Sequence, residues 1–156
     1  PRGHLLGTLV VARYQHIRPL AAAGSSSTRQ SSPMARILLV DDYPDALDVW
    51  SLYLTMCGFE VVTAGDGLAA LDVARRERPD LAILDLALPA ISGFELARRL
   101  RAEGTRGAIP LIAVTGPSQP ARIEEARRAG FDLGRTKPWA PDKLCADIRR
   151  LLAAST

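Results

Sequence analysis

Short apolar runs alternate with stretches of helical periodicity along the chain after Met34. The apolar runs predict strands at 36–40, 59–63, 81–85, 109–115 and 131–136. Apolar residues at helical spacing predict helices at about 44–57, 67–78, 93–100, 119–129 and 141–152. Runs that are apolar throughout are typical of strands covered on both faces. Strict alternation of strand and helix therefore predicts one parallel sheet with helices on both faces.

Residues at the ends of these segments support the predicted helices. Pro44 and Pro141 fall at helix starts, where a missing N–H costs nothing. Gly58 suits a helix end, and Ser92 with Glu95 has the spacing of a capping box. The element boundaries are thus expected near these positions.

Length and composition favour one globular domain. The chain has 156 residues, of which 47% are hydrophobic, enough for a sizeable core. No apolar run is long enough to span a bilayer. Cys57 and Cys145 lie in helical patterns without metal or redox spacing, so we expect two buried thiols and no disulfide.

The first 33 residues differ from the rest in composition. They end in a low-complexity segment rich in Ser and Ala and are predicted to be disordered, or an upstream extension with Met34 as the true start. A secretory signal is the alternative, but Arg13, His16 and Arg18 interrupt its apolar stretch. The predicted domain therefore covers 34–156.

Charge and histidine content exclude several function classes. The first 33 residues hold four arginines and no acid, which leaves 16 basic against 17 acidic residues in the domain. A nearly neutral domain does not predict nucleic-acid binding by bulk charge. Both histidines, His4 and His16, also precede the domain, so it has neither a histidine-based triad nor a histidine-ligated metal.

Polar residues follow four of the five predicted strands. They are Asp41 and Asp42 after the first strand, Asp85 after the third, Thr115 after the fourth and Lys137 after the fifth. Parallel strands end at one edge of the sheet, where ligands bind in open sheets. Three converging carboxylates repel each other and need a cation, and Mg²⁺ is the hard cation that such a site predicts.

An aspartate beside Mg²⁺ and a lysine suits phosphoryl transfer through an acyl phosphate. Each residue alone has a simpler interpretation, since Asp85 could cap a turn and the Asp41–Asp42 pair could precede a helix. Lys137 is more informative because the chain has only two lysines beside eighteen arginines. The Lys137–Pro138 bond is also a candidate for the cis isomer.

This arrangement resembles the receiver domain of bacterial two-component response regulators over essentially the whole of 34–154. The resemblance implies a flavodoxin-like α/β fold with strand order 2-1-3-4-5. It implies that Asp85 accepts a phosphoryl group and that Thr115 and Lys137 hold the phosphoryl oxygens. It also implies that Asp42, Asp85 and the Ala87 carbonyl bind Mg²⁺ directly, with Asp41 acting more through water.

Three departures from the family pattern affect these expectations. Gly134 stands where the family usually has the aromatic half of its switch, and Trp139 stands where Phe is common. Ala87 and Pro117 occupy the positions that tune hydrolysis, and neither side chain can hold a water by hydrogen bonding. We therefore expect a long-lived phosphoaspartate.

The preferred function is a stand-alone, cytoplasmic phosphoacceptor domain rather than an enzyme acting on a separate substrate. The resemblance implies a sensor histidine kinase or histidine phosphotransfer protein as donor and a downstream protein partner, without direct nucleic-acid or membrane binding. It also allows a homodimer through the fourth helix, fifth strand and fifth helix. The alternatives are a receiver-like binding module that works without phosphorylation, and a phosphatase, disfavoured because Leu86, Ala87 and Leu88 offer no second acid.

Overall fold

The computed structural model describes residues 33–104, 108–117 and 119–155. Within them, five strands alternate with five helices as the sequence predicts. The elements are β1 (Arg36–Val40), α1 (Pro44–Met56), β2 (Glu60–Ala64), α2 (Gly67–Glu77), β3 (Leu81–Asp85), α3 (Gly93–Ala102), β4 (Leu111–Thr115), α4 (Ala121–Arg128), β5 (Leu133–Thr136) and α5 (Pro141–Ala154).

The strands form one parallel sheet in the order β2-β1-β3-β4-β5. Register pairs Val40 with Leu84 and Thr115 with Thr136, so the strands end nearly level with each other. This arrangement confirms the predicted flavodoxin-like fold. It places the carboxyl end of every strand at a single edge of the sheet.

Alternating strand residues divide the core into two layers. In β1, Leu38 and Val40 belong to the layer under α2, α3 and α4, whereas Ile37 and Leu39 belong to the layer under α1 and α5. Every residue of β3 and β4 is buried. The two-residue period of side chains along a strand therefore explains why these runs are apolar without interruption.

The helix starts follow the predicted capping chemistry with one difference. The Ser92 hydroxyl accepts a hydrogen bond from the Glu95 amide at 3.2 Å. The Glu95 carboxylate binds Arg98 and Arg99 instead, both at 2.7 Å. Those hydrogen bonds, opposed by partial desolvation, hold the pKa of Glu95 at about 2.

Three strands start later than predicted: β2 by one residue, and β4 and β5 by two residues each. β4 begins at Leu111 rather than Ile109, and β5 begins at Leu133 rather than Phe131. The Leu111 amide donates to the Asp132 carboxylate at 2.8 Å, which satisfies that donor without a backbone partner. Pro110 has no N–H to extend the ladder further.

The prediction of two free thiols is wrong. The Sγ atoms of Cys57 and Cys145 are bonded to each other at 2.07 Å. Cys57 follows α1 and Cys145 lies in α5, and these helices cover the same face of the sheet, where their Cα atoms approach to 6.4 Å. This separation is within the range that a disulfide spans.

The predicted disordered or upstream segment at 1–33 lies outside the described residues except for Pro33. Its structure and the domain boundary at Met34 therefore stay predictions. Among the described helices, none has the length and apolar content needed to cross a bilayer.

Candidate functional site at the carboxyl edge of the sheet

The end of β3 places Asp85 at the centre of the carboxyl edge. Asp85 is the last residue of the strand and is 7% exposed. Its Oδ1 accepts a hydrogen bond from the Ala87 amide at 2.8 Å, while its Oδ2 accepts one from Lys137. Each carboxylate oxygen has two lone pairs, so both keep capacity for a further ligand.

Gly93 allows the backbone around Asp85 to pack tightly. A Cβ atom at Gly93 would lie 2.3 Å from the Asp85 carbonyl oxygen and 2.8 Å from the Leu86 Cα atom. The Gly93 amide donates to the Leu86 carbonyl at 3.2 Å. The first turn of α3 therefore lies directly against the end of β3, which is possible only without a side chain at this position.

Lys137 joins two of the predicted carboxylates. Its Nζ atom lies 2.6 Å from Asp41 Oδ2 and 3.0 Å from Asp85 Oδ2. The Lys137 amide donates to the Thr115 carbonyl at 2.8 Å, which extends the β4–β5 pairing to the lysine itself. The Lys137–Pro138 peptide bond is cis, as the sequence suggested.

The charge on Lys137 is stabilised despite partial burial. Burial lowers its pKa, but hydrogen bonds and charge attraction from Asp41 and Asp85 outweigh this effect and raise the pKa above the ordinary lysine value. The ammonium therefore stays protonated at neutral pH, and one positive charge faces the acidic cluster.

Asp41, Asp42 and Asp85 form a cluster that fits a hard divalent cation. One carboxylate oxygen from each lies within 4.8 Å of the others. Asp41 and Asp85 are buried, while Asp42 is exposed. The Tyr43 amide orients Asp41 by donating to its Oδ1 at 2.9 Å. Three carboxylates against one ammonium leave excess negative charge, and an all-oxygen donor set suits Mg²⁺.

Thr115 and Ala87, the two remaining predicted site residues, lie near the ends of β4 and β3. Thr115 ends β4 and is 1% exposed. In the described part of the chain, no hydrogen bond joins its hydroxyl to Asp85 or Lys137. Ala87 is exposed in the loop after β3, where its amide rather than its carbonyl contacts Asp85. The roles predicted for the Thr115 hydroxyl and Ala87 carbonyl therefore stay predictions.

A small cavity of ≈ 20 Å³ lies under the carboxylates, enough for about one water molecule. Asp41, Asp85 and Lys137 line it on the polar side, and Trp50, Trp139 and Leu144 line it on the apolar side. Sequence reasoning missed this cavity because its wall combines residues from α1, α5 and three strand ends. Trp139 is 6% exposed.

Gly134 is closely covered by α4. A Cβ atom at Gly134 would lie 2.7 Å from the Cγ2 atom of Ile123. The space beside β5 is thus filled by an aliphatic side chain from the neighbouring helix. No local sequence pattern indicates that Ile123 packs on Gly134.

The family model for the response regulator receiver domain matches residues 37–149. This chain belongs to that family. The match covers β1 from Ile37, all of β2 to β5 and most of α5, and it confirms the resemblance that the strand-end residues suggested.

The match covers nearly the full length of one relative and about half the length of others. Protein PilH of Pseudomonas aeruginosa is 34% identical over 120 residues, which cover 77% of this chain and 99% of PilH. The DNA-binding dual master transcriptional regulator RpaA of Synechocystis sp. is 36% identical over 119 residues, or 76% of this chain and 49% of RpaA. This receiver domain thus spans about half the length of the curated relatives that it first matches.

Solved structures agree with the fold. The chemotaxis response regulator CheY4 of Vibrio cholerae superposes with a TM-score of 0.69 at 31% identity, covering 76% of this chain and 98% of CheY4. A receiver domain protein from Clostridium thermocellum superposes with a TM-score of 0.72 at 23% identity, covering 78% and 97%. The second likeness supports the fold alone.

Proposed function

We propose that this receiver domain accepts a phosphoryl group on Asp85 from the phosphohistidine of a sensor kinase or phosphotransfer protein. The observation that carries the proposal is the Lys137 Nζ atom bound to Asp41 and Asp85 beside a third carboxylate, Asp42. A nucleophilic carboxylate, a fixed cation and a metal-binding acid pair are the parts that phosphoryl transfer needs.

In the proposed reaction, an Asp85 carboxylate oxygen attacks phosphorus. A P–O bond forms, the P–N bond to the donor imidazole breaks, and the imidazole leaves with the electron pair. The Ala87 amide and Lys137 orient the carboxylate before attack. Lys137 then moves from Asp85 Oδ2 to a phosphoryl oxygen, because the acyl phosphate carries its charge there.

Asp42, Asp85 and the Ala87 carbonyl would hold Mg²⁺ directly, with Asp41 binding more through water. When bound, Mg²⁺ supplies charge neutralisation for the phosphoryl oxygens. The Thr115 hydroxyl would donate to one of these oxygens. The domain would in this way assist its own phosphorylation and dephosphorylation without turning over a separate substrate.

The output is a change in partner binding, in a cytoplasmic setting where the kinase has access to Asp85. We infer that the surface of α4, β5 and α5 changes its conformational population on phosphorylation. A downstream protein, or a second copy of the chain, would read this surface. The Ile123–Gly134 contact replaces an aromatic ring there, so transmission would proceed through the position of α4.

A second candidate is a binding module that keeps the pocket but does not use phosphorylation. The observation that favours it is Gly134, since the space beside β5 is already filled by Ile123. In that case the α4–β5 surface would have one conformation whatever the state of Asp85.

Incubation with acetyl phosphate and Mg²⁺ followed by intact mass measurement separates the two candidates. Phosphoacceptance predicts the added mass of one phosphoryl group on the wild type and none on Asp85→Asn. The matched control is Asp80→Asn, which removes an aspartate at the opposite end of β3. Equal labelling of wild type and Asp85→Asn would contradict the proposal.

A further inference from the structure

The disulfide joins the end of α1 to α5, and these two helices cover the same face of the sheet. Cys57 and Cys145 are the two cysteines of the chain and are separated by 88 residues. Cys57 is half-buried just after α1, and Cys145 is 3% exposed in the second turn of α5. An attacking thiol therefore reaches the sulfur of Cys57 more easily than that of Cys145.

A second residue of α5 holds the same end of α1. Arg149 donates from Nη2 to the Cys57 carbonyl at 2.8 Å, and its guanidinium lies 5.7 Å from the centre of the Phe59 ring. Neither contact involves a sulfur atom, so both can persist after the S–S bond is cleaved. Cleavage of the S–S bond would therefore leave the thiols close to each other and able to form the bond again.

The chain between Lys137 and Cys145 is short, and it contributes residues to the cavity under the carboxylates. Seven residues separate Lys137 from Cys145, and within this stretch Trp139 and Leu144 line the cavity under Asp41 and Asp85. Trp139 is buried, and its indole N–H has no hydrogen-bond partner among the described residues. Apolar packing rather than polar contacts therefore fixes this indole. Because Trp139 packs in the same core layer as α5, the position of the indole depends on the position of α5.

We propose that Cys57 and Cys145 form a reversible thiol–disulfide site that controls how readily Lys137 and α5 adopt the phosphorylated arrangement. The proposal rests on the function proposed above. In the oxidised state, the bond fixes α5 to the end of α1 and restrains the Lys137–Leu144 segment. In the reduced state, the noncovalent Arg149 contact keeps the two cysteines near each other but allows α5 to shift with Lys137 when the ammonium moves from Asp85 to a phosphoryl oxygen.

The chemistry requires a low-molecular-weight disulfide as oxidant, such as glutathione disulfide. The Cys57 thiolate attacks it, forms a mixed disulfide and releases one small thiol. The Cys145 thiolate then attacks Cys57 Sγ and releases the second. Two protein thiols are thereby oxidised while one small disulfide is reduced to two thiols, and the reverse sequence opens the bond. Glutathione keeps most cytosolic cysteines in the thiol form, so a disulfide here would form in response to oxidation rather than persist.

Coupling between two sites is reciprocal, which makes the proposal testable from both sides. Beryllofluoride with Mg²⁺ serves as the phosphoryl probe, and Trp50 and Trp139 beside the cavity provide the fluorescence signal. We expect the reduced wild type to bind the probe at least about five-fold more tightly than the oxidised wild type. The glutathione ratio that half-oxidises the cysteine pair, measured by alkylation and mass, should shift by the same factor when the probe is bound.

The double variant Cys57→Ser with Cys145→Ala is the control, and its probe affinity should not depend on the glutathione ratio. Equal, tight binding in both redox states of the wild type would overturn the coupling alone. A cysteine pair whose oxidised fraction does not change with the glutathione ratio would overturn it as well. Absence of probe binding in both redox states would overturn the proposed function, and the coupling with it.

Discussion

Replacing Lys137 by Met tests the electrostatics of the site most fully. The variant keeps most of the side-chain volume but removes the only ammonium bonded to Asp41 and Asp85 in the described chain. Three carboxylates would then lie within 4.8 Å of one another without that neutralising charge. At this separation, each pair of charges repels by about 3 kcal/mol at an effective dielectric constant of about 20.

Because the lysine side chain is 32% exposed, solvent reduces this repulsion, and proton uptake by the acids relieves more of it. We expect the free energy of unfolding at pH 7 to fall by about 2 kcal/mol, within the range for loss of hydrogen bonds to charged groups. Mg²⁺ should restore more stability in Lys137→Met than in the wild type, since it neutralises the same carboxylates. Urea titrations with and without Mg²⁺ measure both effects.

The pH dependence gives an independent check. The folded-state pKa of Lys137 is raised, so its stabilising contribution is complete below the ordinary lysine pKa of 10.5 and is lost as pH rises through the folded value. The stability gap between wild type and variant should therefore close above that pH. Lys143→Met, at an exposed position of α5, is the matched control. A Lys137→Met protein as stable as this control, with the same response to Mg²⁺, would refute the reasoning.

Three further predictions concern single substitutions. Gly93→Ala should cost about 1–3 kcal/mol because its Cβ meets backbone at 2.3 Å, whereas Gly65→Ala, with nothing within 4 Å, should cost much less; similar urea midpoints would contradict this. The loss of stability in Gly134→Ala should lie between those of Gly93→Ala and Gly65→Ala, because the flexible Ile123 side chain can move aside. A urea midpoint for Gly134→Ala outside the range set by the other two variants would contradict this. Ala87→Asn should shorten the phosphoaspartate half-life by giving water a hydrogen-bond partner, and a wild-type half-life no longer than the variant's would argue against this.

Much of the fold was predictable because local and global signals agree. Each buried strand is a short apolar run, and strict alternation with helices leaves a parallel sheet as the natural arrangement. Asp41, Asp85 and Lys137 follow different strands, so parallel strand ends alone are enough to bring them together. To predict that these residues lie together, the strand topology was therefore sufficient, and side-chain geometry was not required.

Long-range side-chain contacts were not predictable in the same way. The pairing of Cys57 with Cys145 depends on α1 and α5 covering one face of the sheet, and a separation of 88 residues gives no local sign of it. The late start of β4 depends on Asp132, a side chain 21 residues further along the chain. The packing of Ile123 on Gly134 likewise depends on how closely α4 approaches β5.

Identification of the phosphorylated residue tests the central claim most directly. The protein would be labelled with acetyl phosphate and Mg²⁺, treated with borohydride to convert an acyl phosphate to the alcohol, and mapped by peptide mass spectrometry. Our account predicts homoserine at position 85 in the labelled protein and its absence without phosphodonor. Modification at a different residue, or none at Asp85 under conditions where Mg²⁺ binds, would contradict it.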